Sequence, residues 1–228
     1  MEPRHPIIPI LIDNFPHPAA FKQAGTGKYL GSNVVNAREF GVNDPSELLD
    51  LTIHDLSFSR QPWGLHYAGR IAELDRRVCE KKAGVKDERP FMNHAGEVRY
   101  YEIVKFPVLD AREDIAGIVT YAHDIQHKLG YREQYRLYRR FHEKAEAIQR
   151  FLAYYGLQAS FPSAPSETQL MVLLEKAQGH SDKKIGKRMQ LSTRMVERHV
   201  DEMRALINGS SLEFVLARLR RDTMGCEH

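Results

Sequence analysis

Apolar and polar positions change their period twice along this chain, and the changes divide it into three stretches. Residues 15–125 mix short β-rich runs with helices, residues 126–156 follow one helical pattern, and residues 165–221 break into several short helices. In the first stretch, Ala19–Gln23 and Tyr29–Ser32 flank Gly25-Thr26-Gly27, which predicts a hairpin. Asn43-Asp44-Pro45-Ser46-Glu47 reads as a helix start, a capping side chain followed by proline in the first turn. Leu65, Ala68, Ile71, Ala72 and Val78 recur at helical spacing, which predicts an amphipathic helix over 64–82 that stops before Gly84. Three strands are then expected: Val85 to Met92, a period-two run beginning at Val98, and Ile115 to Ile125. In the middle strand Val98, Tyr100, Val104, Phe106 and Val108 alternate with Arg99, Tyr101, Ile103 and Lys105.

Through the second stretch, Tyr138, Phe141, Ala145, Ile148, Leu152 and Tyr155 follow spacings of three and four, an a/d seam with a charged face around it. Such a seam either dimerises in parallel with a second copy or packs against its own N-terminal domain. Tyrosine and alanine make it a weak seam, which suits a switchable element. Phe161-Pro162-Ser163-Ala164-Pro165 reads as a hinge.

Beyond the hinge, Ser166 caps a helix carrying Leu170, Val172, Leu173 and Leu174, and Gly179 ends it. Ser181 caps a second helix to Gln190, with Ile185 and Met189 inward. Ser192 caps a third, Thr193 to Ile207, whose inward stripe is Val196, His199, Val200 and Met203. A fourth spans about 211–220. Two short helices joined by a tight turn, the second polar and basic, make a helix-turn-helix, and a helix fits the major groove of DNA. Arg194 and Arg198 share one face of the third helix, while Lys183, Lys184, Lys187 and Arg188 crowd the second. Arginines at base edges and lysines at phosphates are the division of labour such a motif uses.

Two family resemblances follow from these residues. Phe15-Pro16-His17-Pro18, Gly25-Thr26-Gly27-Lys28-Tyr29-Leu30, Gly96-Glu97-Val98, Lys105-Phe106-Pro107-Val108 and Asp124-Ile125-Gln126 resemble PAS punctuation, with Gln126 where threonine is usual. Gly179-His180-Ser181-Asp182-Lys183-Lys184-Ile185-Gly186, Leu191 to His199 and Glu213-Phe214-Val215 resemble the LuxR-type helix-turn-helix. The resemblances imply an α+β fold: an antiparallel five-stranded PAS-like sheet with helices, a helical linker, and an all-α four-helix LuxR-type unit. The expected boundaries are an extension over 1–14, the PAS-like sensor over 15–127, the linker over 128–160 and the DNA-binding domain over 161–228. Departures from the LuxR-type pattern fall at Thr168, Gln169 and Met195, and at Glu197 and Asp201, where relatives carry lysines that meet DNA. Glu197 is read as accepting from cytosine or pairing with Arg194 or Arg198, and His199 as a core histidine.

Charge agrees with this division. Residues 128–228 hold 18 basic and 12 acidic side chains against a whole-chain net of +3, so the polyanion-facing part is C-terminal. No apolar run reaches membrane length and no signal-peptide pattern opens the chain, so the expected location is the cytoplasm. Cys79 and Cys226 offer neither metal nor redox spacing and are read as free thiols. No haem, flavin or metal motif is found; His66 is read as a surface or hydrogen-bonded histidine, and His123 and His127 straddle a strand-helix junction. No nucleophile elbow, phosphate loop or dinucleotide fingerprint points to an enzyme. A ligand pocket is expected among Phe21, Tyr29, Phe40, Trp63, Phe91, Tyr101, Phe106 and Tyr121, with Glu102 as a carboxylate facing the cavity.

The expected function is that of a dimeric transcriptional regulator whose PAS-like domain senses a ligand or partner. Its DNA-contacting residues are expected to be Lys183, Lys184, Lys187, Ser192, Thr193, Arg194, Glu197 and Arg198. Double-stranded DNA, a second copy of the chain, a small-molecule ligand and, by family, RNA polymerase are the expected partners. The alternative is an interaction adaptor with a PAS dimerisation domain, whose helix-turn-helix no longer reads DNA specifically.

Overall fold

A computed structural model describes residues 7–222, which divide into two compact units meeting between Ile125 and Gln126. Cys226, one of the two expected free thiols, lies outside the described residues.

The first unit is built on a five-stranded antiparallel sheet in the order β2-β1-β5-β4-β3. Its strands are β1 (Ala19–Gln23), β2 (Tyr29–Ser32), β3 (Val85–Met92), β4 (Val98–Leu109) and β5 (Ile115–Asp124). Three α-helices accompany it: α1 (Ile7–Asp13), α2 (Val34–Glu39) and α3 (Pro62–Lys81). The β1–β2 hairpin forms where two positive-φ glycines, Gly25 and Gly27, let the chain turn. The expected helix start at Asn43 yields only a 3-10 turn, Pro45–Leu48, closed by a capping box between Asp44 and Glu47. Asn33 fastens the sheet's entry: its side chain accepts from Ala19 and Asn36 amides and donates to the Phe15 and His17 carbonyls.

Period-two parity sorts the sheet into two faces. Ala20, Tyr101, Ile103 and Ile118 face α3, which supplies Ala68, Ile71, Leu74 and Val78 from one stripe. Gly64 lets α3 start close against the preceding turn, since a Cβ there would lie 1.9 Å from the Phe58 carbonyl oxygen. The opposite face carries Ala19, Phe21, Phe106, Val108, Val119 and Tyr121, over which α1 lays Ile12. Ile7–Asp13, expected only as part of an extension, is thus a helix that covers part of the sheet.

The second unit is all helical: α4 (Tyr131–Phe141), α5 (Lys144–Tyr154), α6 (Glu167–Ala177), α7 (Asp182–Met189), α8 (Thr193–Leu206) and α9 (Leu212–Asp222). One long linker helix was expected over 126–156; instead the chain turns extended at His142 and Glu143 and α5 folds back on α4. Aromatic packing explains the break. Tyr138 and Phe151 would stand about 20 Å apart along a continuous helix. Here their ring centroids are 6.0 Å apart, and Tyr135 reaches Phe151 at 5.8 Å. The seam is therefore divided between two packed helices: Tyr138, Ile148, Leu152 and Tyr155 are buried within this unit, while Phe141 is half-buried and Ala145 exposed. The Pro162–Pro165 segment is not a bare hinge either, because Phe161 and Pro165 are buried and the Ser160 carbonyl accepts from the Asn208 amide at 3.1 Å.

α6 forms the middle of this unit, in contact with α4, α5, α7, α8 and α9. Its Leu170, Leu173 and Leu174 are fully buried, as are Ile185 of α7, Val196 and Met203 of α8, and Val215 and Leu219 of α9. Inside this apolar setting sits a carboxylate, Glu175, at 0% exposure. Arg132 Nε lies 2.7 Å from its Oε1, an ion pair though out of line for a hydrogen bond. On Oε2 converge His180 Nδ1 at 2.7 Å and Arg188 Nε at 2.9 Å. The Tyr131 hydroxyl donates to the Leu219 carbonyl, so α4 is tied to the last helix.

Candidate nucleic-acid interface and sensor cavity

The turn between α7 and α8 sets the geometry of the nucleic-acid candidate. Gln190 adopts a left-handed conformation (φ 58°), and the Leu191 amide donates to the Gly186 carbonyl at 2.9 Å. Gly186 permits this tightness, for a Cβ there would stand 2.6 Å from the Leu191 carbonyl oxygen. Ser192 then caps α8, its Oγ accepting from the Met195 amide at 3.2 Å. With Val196, Val200 and Met203 buried, the opposite face of α8 turns outward, and Thr193, Arg194, Glu197, Arg198 and Asp201 are all exposed.

Lys183, Lys184 and Lys187 are exposed on α7, next in the chain to α8. Arg188, also expected at phosphates, is instead engaged with Glu175. Arg198 pairs with Glu202 at 3.1 Å rather than with Glu197, and Asp201 is taken up by Arg204 at 2.8 Å. His199 is half-buried with Nδ1 3.2 Å from Glu202 Oε2. Met195, 41% exposed, and Phe214, 54% exposed, add apolar surface to α8 and α9.

The second candidate is a cavity of about 40 Å³ between the inner sheet face and the helices of the first unit. Tyr29 and Phe40, two of the expected pocket aromatics, line it. Trp63 and Phe91 belong to the same core but stack with Phe58 and Tyr67 instead of facing the cavity. Tyr101 is buried beside Glu39, whose carboxyl burial raises above its ordinary range, while the Tyr101 phenol is pushed up by burial and by Glu39. Four expected pocket residues lie on the other face. Phe21, Phe106 and Tyr121 pack toward α1, and Glu102 pairs with Lys86 at 3.5 Å on the same side. Parity is the reason: in β4 the inward set contains Tyr101, Ile103 and Lys105, so Glu102 and Phe106 must point away.

Aromatic content alone missed the polar wall of the cavity. Lys22, Asn36, Lys105 and Thr120 line it together with Ile53, Tyr67 and Ile71. Asp75 of α3 reaches in between the lysines, 3.3 Å from Lys22 Nζ and hydrogen-bonded to Lys105. Burial, seconded by the like charge of Lys22, pulls Lys105 down to about 7 against the attraction of Asp75. Burial alone would raise the Asp75 carboxyl, but the two lysines outweigh it and hold the group below its ordinary value. The signal for this wall was present in the sequence: a lysine in register with Tyr101 and Ile103 along an inward-facing strand.

Among the described residues, no group of histidine, cysteine, aspartate and glutamate side chains could hold a metal, and no helix is long and apolar enough to cross a membrane.

Comparison with known proteins adds the following. No curated protein matches the chain by sequence. Among solved structures, the VqmA–ligand–DNA complex of Vibrio cholerae is similar over 95% of this chain and 86% of that one, at 16% identity and a TM-score of 0.53. The PAS domain of Bordetella pertussis BvgS matches over 52% of this chain and 84% of its own, at 24% identity and a TM-score of 0.45. The PAS domain, in complex with ethanol, of a LuxR-family transcriptional regulator from Burkholderia thailandensis matches over 51% and 95%, at 16% identity and a TM-score of 0.37. The PAS fold family matches residues 13–128. That span takes in the whole five-stranded sheet with α2 and α3, and the chain belongs to the PAS-fold family.

Proposed function

We propose that this chain is a DNA-binding transcriptional regulator in which the PAS-fold unit senses a small ligand and governs a LuxR-type helix-turn-helix. One observation carries the reading: the α7–α8 turn leaves Lys183, Lys184, Lys187, Arg194 and Arg198 exposed on two helices arranged as a helix-turn-helix. The Vibrio cholerae structure that shares this fold over both units was solved with ligand and DNA bound, which supports the same pairing of tasks here.

In this reading Arg194 and Arg198 of α8 address base edges, the three lysines of α7 neutralise phosphates, and Ser192 and Thr193 bring the positive end of α8 to the backbone. Glu197, between the arginines, accepts from cytosine. A homodimer on two half-sites, recruiting RNA polymerase from a cytoplasmic pool, is what the LuxR-type resemblance adds.

The test is selection of sequences from a random duplex pool by the full chain, followed by affinity measurements across a salt series. A regulator with these five cations at the duplex gives a steep slope of log K against log salt, with about 0.9 lost for each phosphate contact removed. Exposed Glu197 and Asp201 on α8 favour the second reading, an adaptor without specific DNA binding. No enriched sequence, a shallow slope, and unchanged affinity in both Arg194→Ala and Arg198→Ala would establish that alternative instead.

A further inference from the structure

The cavity of the PAS-fold unit is lined by two buried lysines that share one acid, Asp75. Lys22 and Lys105 are 2% and 0% exposed, and Asp75 is the acid between them. The remaining partners are neutral: Lys105 Nζ donates to Thr120 Oγ1 at 3.3 Å, and Lys22 Nζ stands 4.7 Å from the centre of the Tyr29 ring. The Tyr29 and Tyr67 phenols, both raised by burial, stay protonated. With both lysines protonated one positive charge would stand uncompensated in a buried setting, and burial answers by pulling Lys105 down to about 7, so near neutral pH that charge is only partly present. Both lysines line the cavity, and its other wall is apolar, with Phe40, Ile53 and Ile71.

We propose that this cavity binds a short-chain monocarboxylate, its carboxylate held by Lys22 and Lys105 from the cavity that both line and its hydrocarbon end against Phe40, Ile53 and Ile71. The proposal rests on the sensor reading above and adds the chemistry of the signal. One missing negative charge selects a monoanion over a dianion. The apolar wall selects an organic acid over an inorganic ion, and about 40 Å³ limits it to a few carbons. Because Lys105 sits at about 7, an arriving carboxylate favours its ammonium form and draws a proton from the buffer.

Titration calorimetry of the full chain with sodium propionate, at constant ionic strength, tests this. Propionamide and sodium chloride serve as controls. The expected result is saturable one-to-one binding of propionate, with propionamide and Lys22→Met each weaker by about tenfold or more. In Lys22→Met the Lys105–Asp75 pair is already neutral, and Trp63 fluorescence reports that the unit remains folded. Independently of any variant, wild-type binding at pH 8 measured in buffers of different ionisation enthalpy should show proton uptake. Propionamide binding as tightly as propionate, undiminished binding in folded Lys22→Met, no proton uptake, or no propionate binding up to about 10 mM each overturns the proposal. The same preparation is assayed on the selected DNA. A chain that binds DNA but not propionate sinks this inference alone, and the reverse outcome sinks the regulator reading alone.

Discussion

Glu175→Gln is the substitution that most directly probes how the helical unit is held together. It keeps the shape of the side chain and removes its charge, leaving Arg132, His180 and Arg188 around a neutral amide. Breaking a buried ion pair from one side costs about 3–5 kcal/mol when the stranded partner is trapped. Here the arginine side chains are 27% and 46% exposed, so both can turn toward water, and the cost falls to about 2 kcal/mol. For a unit of this size that corresponds to a fall in melting temperature of about 8–16 °C. Because α7 is tied to Glu175 through Arg188 and is preceded by His180, its amides lose protection first, by about thirtyfold. Hydrogen exchange on the full chain measures this, with β4 and β5 as the internal reference. Protection of α7 within about threefold of wild type would refute the view that Glu175 organises the unit.

Other outcomes follow from single contacts. Lys105 binds a proton less readily in the folded chain, at about 7 instead of 10.5, so the unfolded state holds more protons between those values and stability rises with pH across them. Trp63 fluorescence melts should show that rise above pH 7, and Lys105→Met should flatten it; an unchanged slope in the variant would contradict the assignment. Gly64→Ala drives a Cβ into the Phe58 carbonyl and should cost about 3 kcal/mol or more in the same melts, whereas Gly69→Ala, with open space around it, should not destabilise. Ser192→Ala removes the α8 cap and should lower stability of the helical unit by about 1 kcal/mol in denaturant unfolding followed by circular dichroism. Arg194→Ala should weaken binding to the selected duplex and relax preference at one base position by about 1–3 kcal/mol, read by gel shift against single-base variants.

Elements governed by local rules were legible before the structure. The hairpin at Gly25-Thr26-Gly27, the amphipathic α3, and the serine caps at 166, 181 and 192 all depend on neighbours a few residues away, and they appear where the pattern placed them. What failed depended on distant partners. The 138–155 seam is a valid helical period on both sides of its break, and only the meeting of Tyr138 with Phe151 reveals that the chain doubles back. The pocket set was chosen by residue type, so it mixed Tyr29 and Phe40 with Phe21, Phe106 and Tyr121 from the opposite face. Strand parity would have separated them and would have drawn Lys105 inward. The Lys22–Asp75–Lys105 cluster joins β1, α3 and β4, and no local spacing brings those three together.

The burial of α4 and α5 within the helical unit bears on where this protein can be cut. A fragment starting at residue 161, as the hinge-like prolines invite, would strip Arg132 from Glu175 and Tyr131 from the Leu219 carbonyl, and would bare the surface that Ile148 and Leu152 now share with their neighbours. The helical unit begins instead near residue 126, so gene fusions that graft it onto a foreign domain must carry both aromatic helices along.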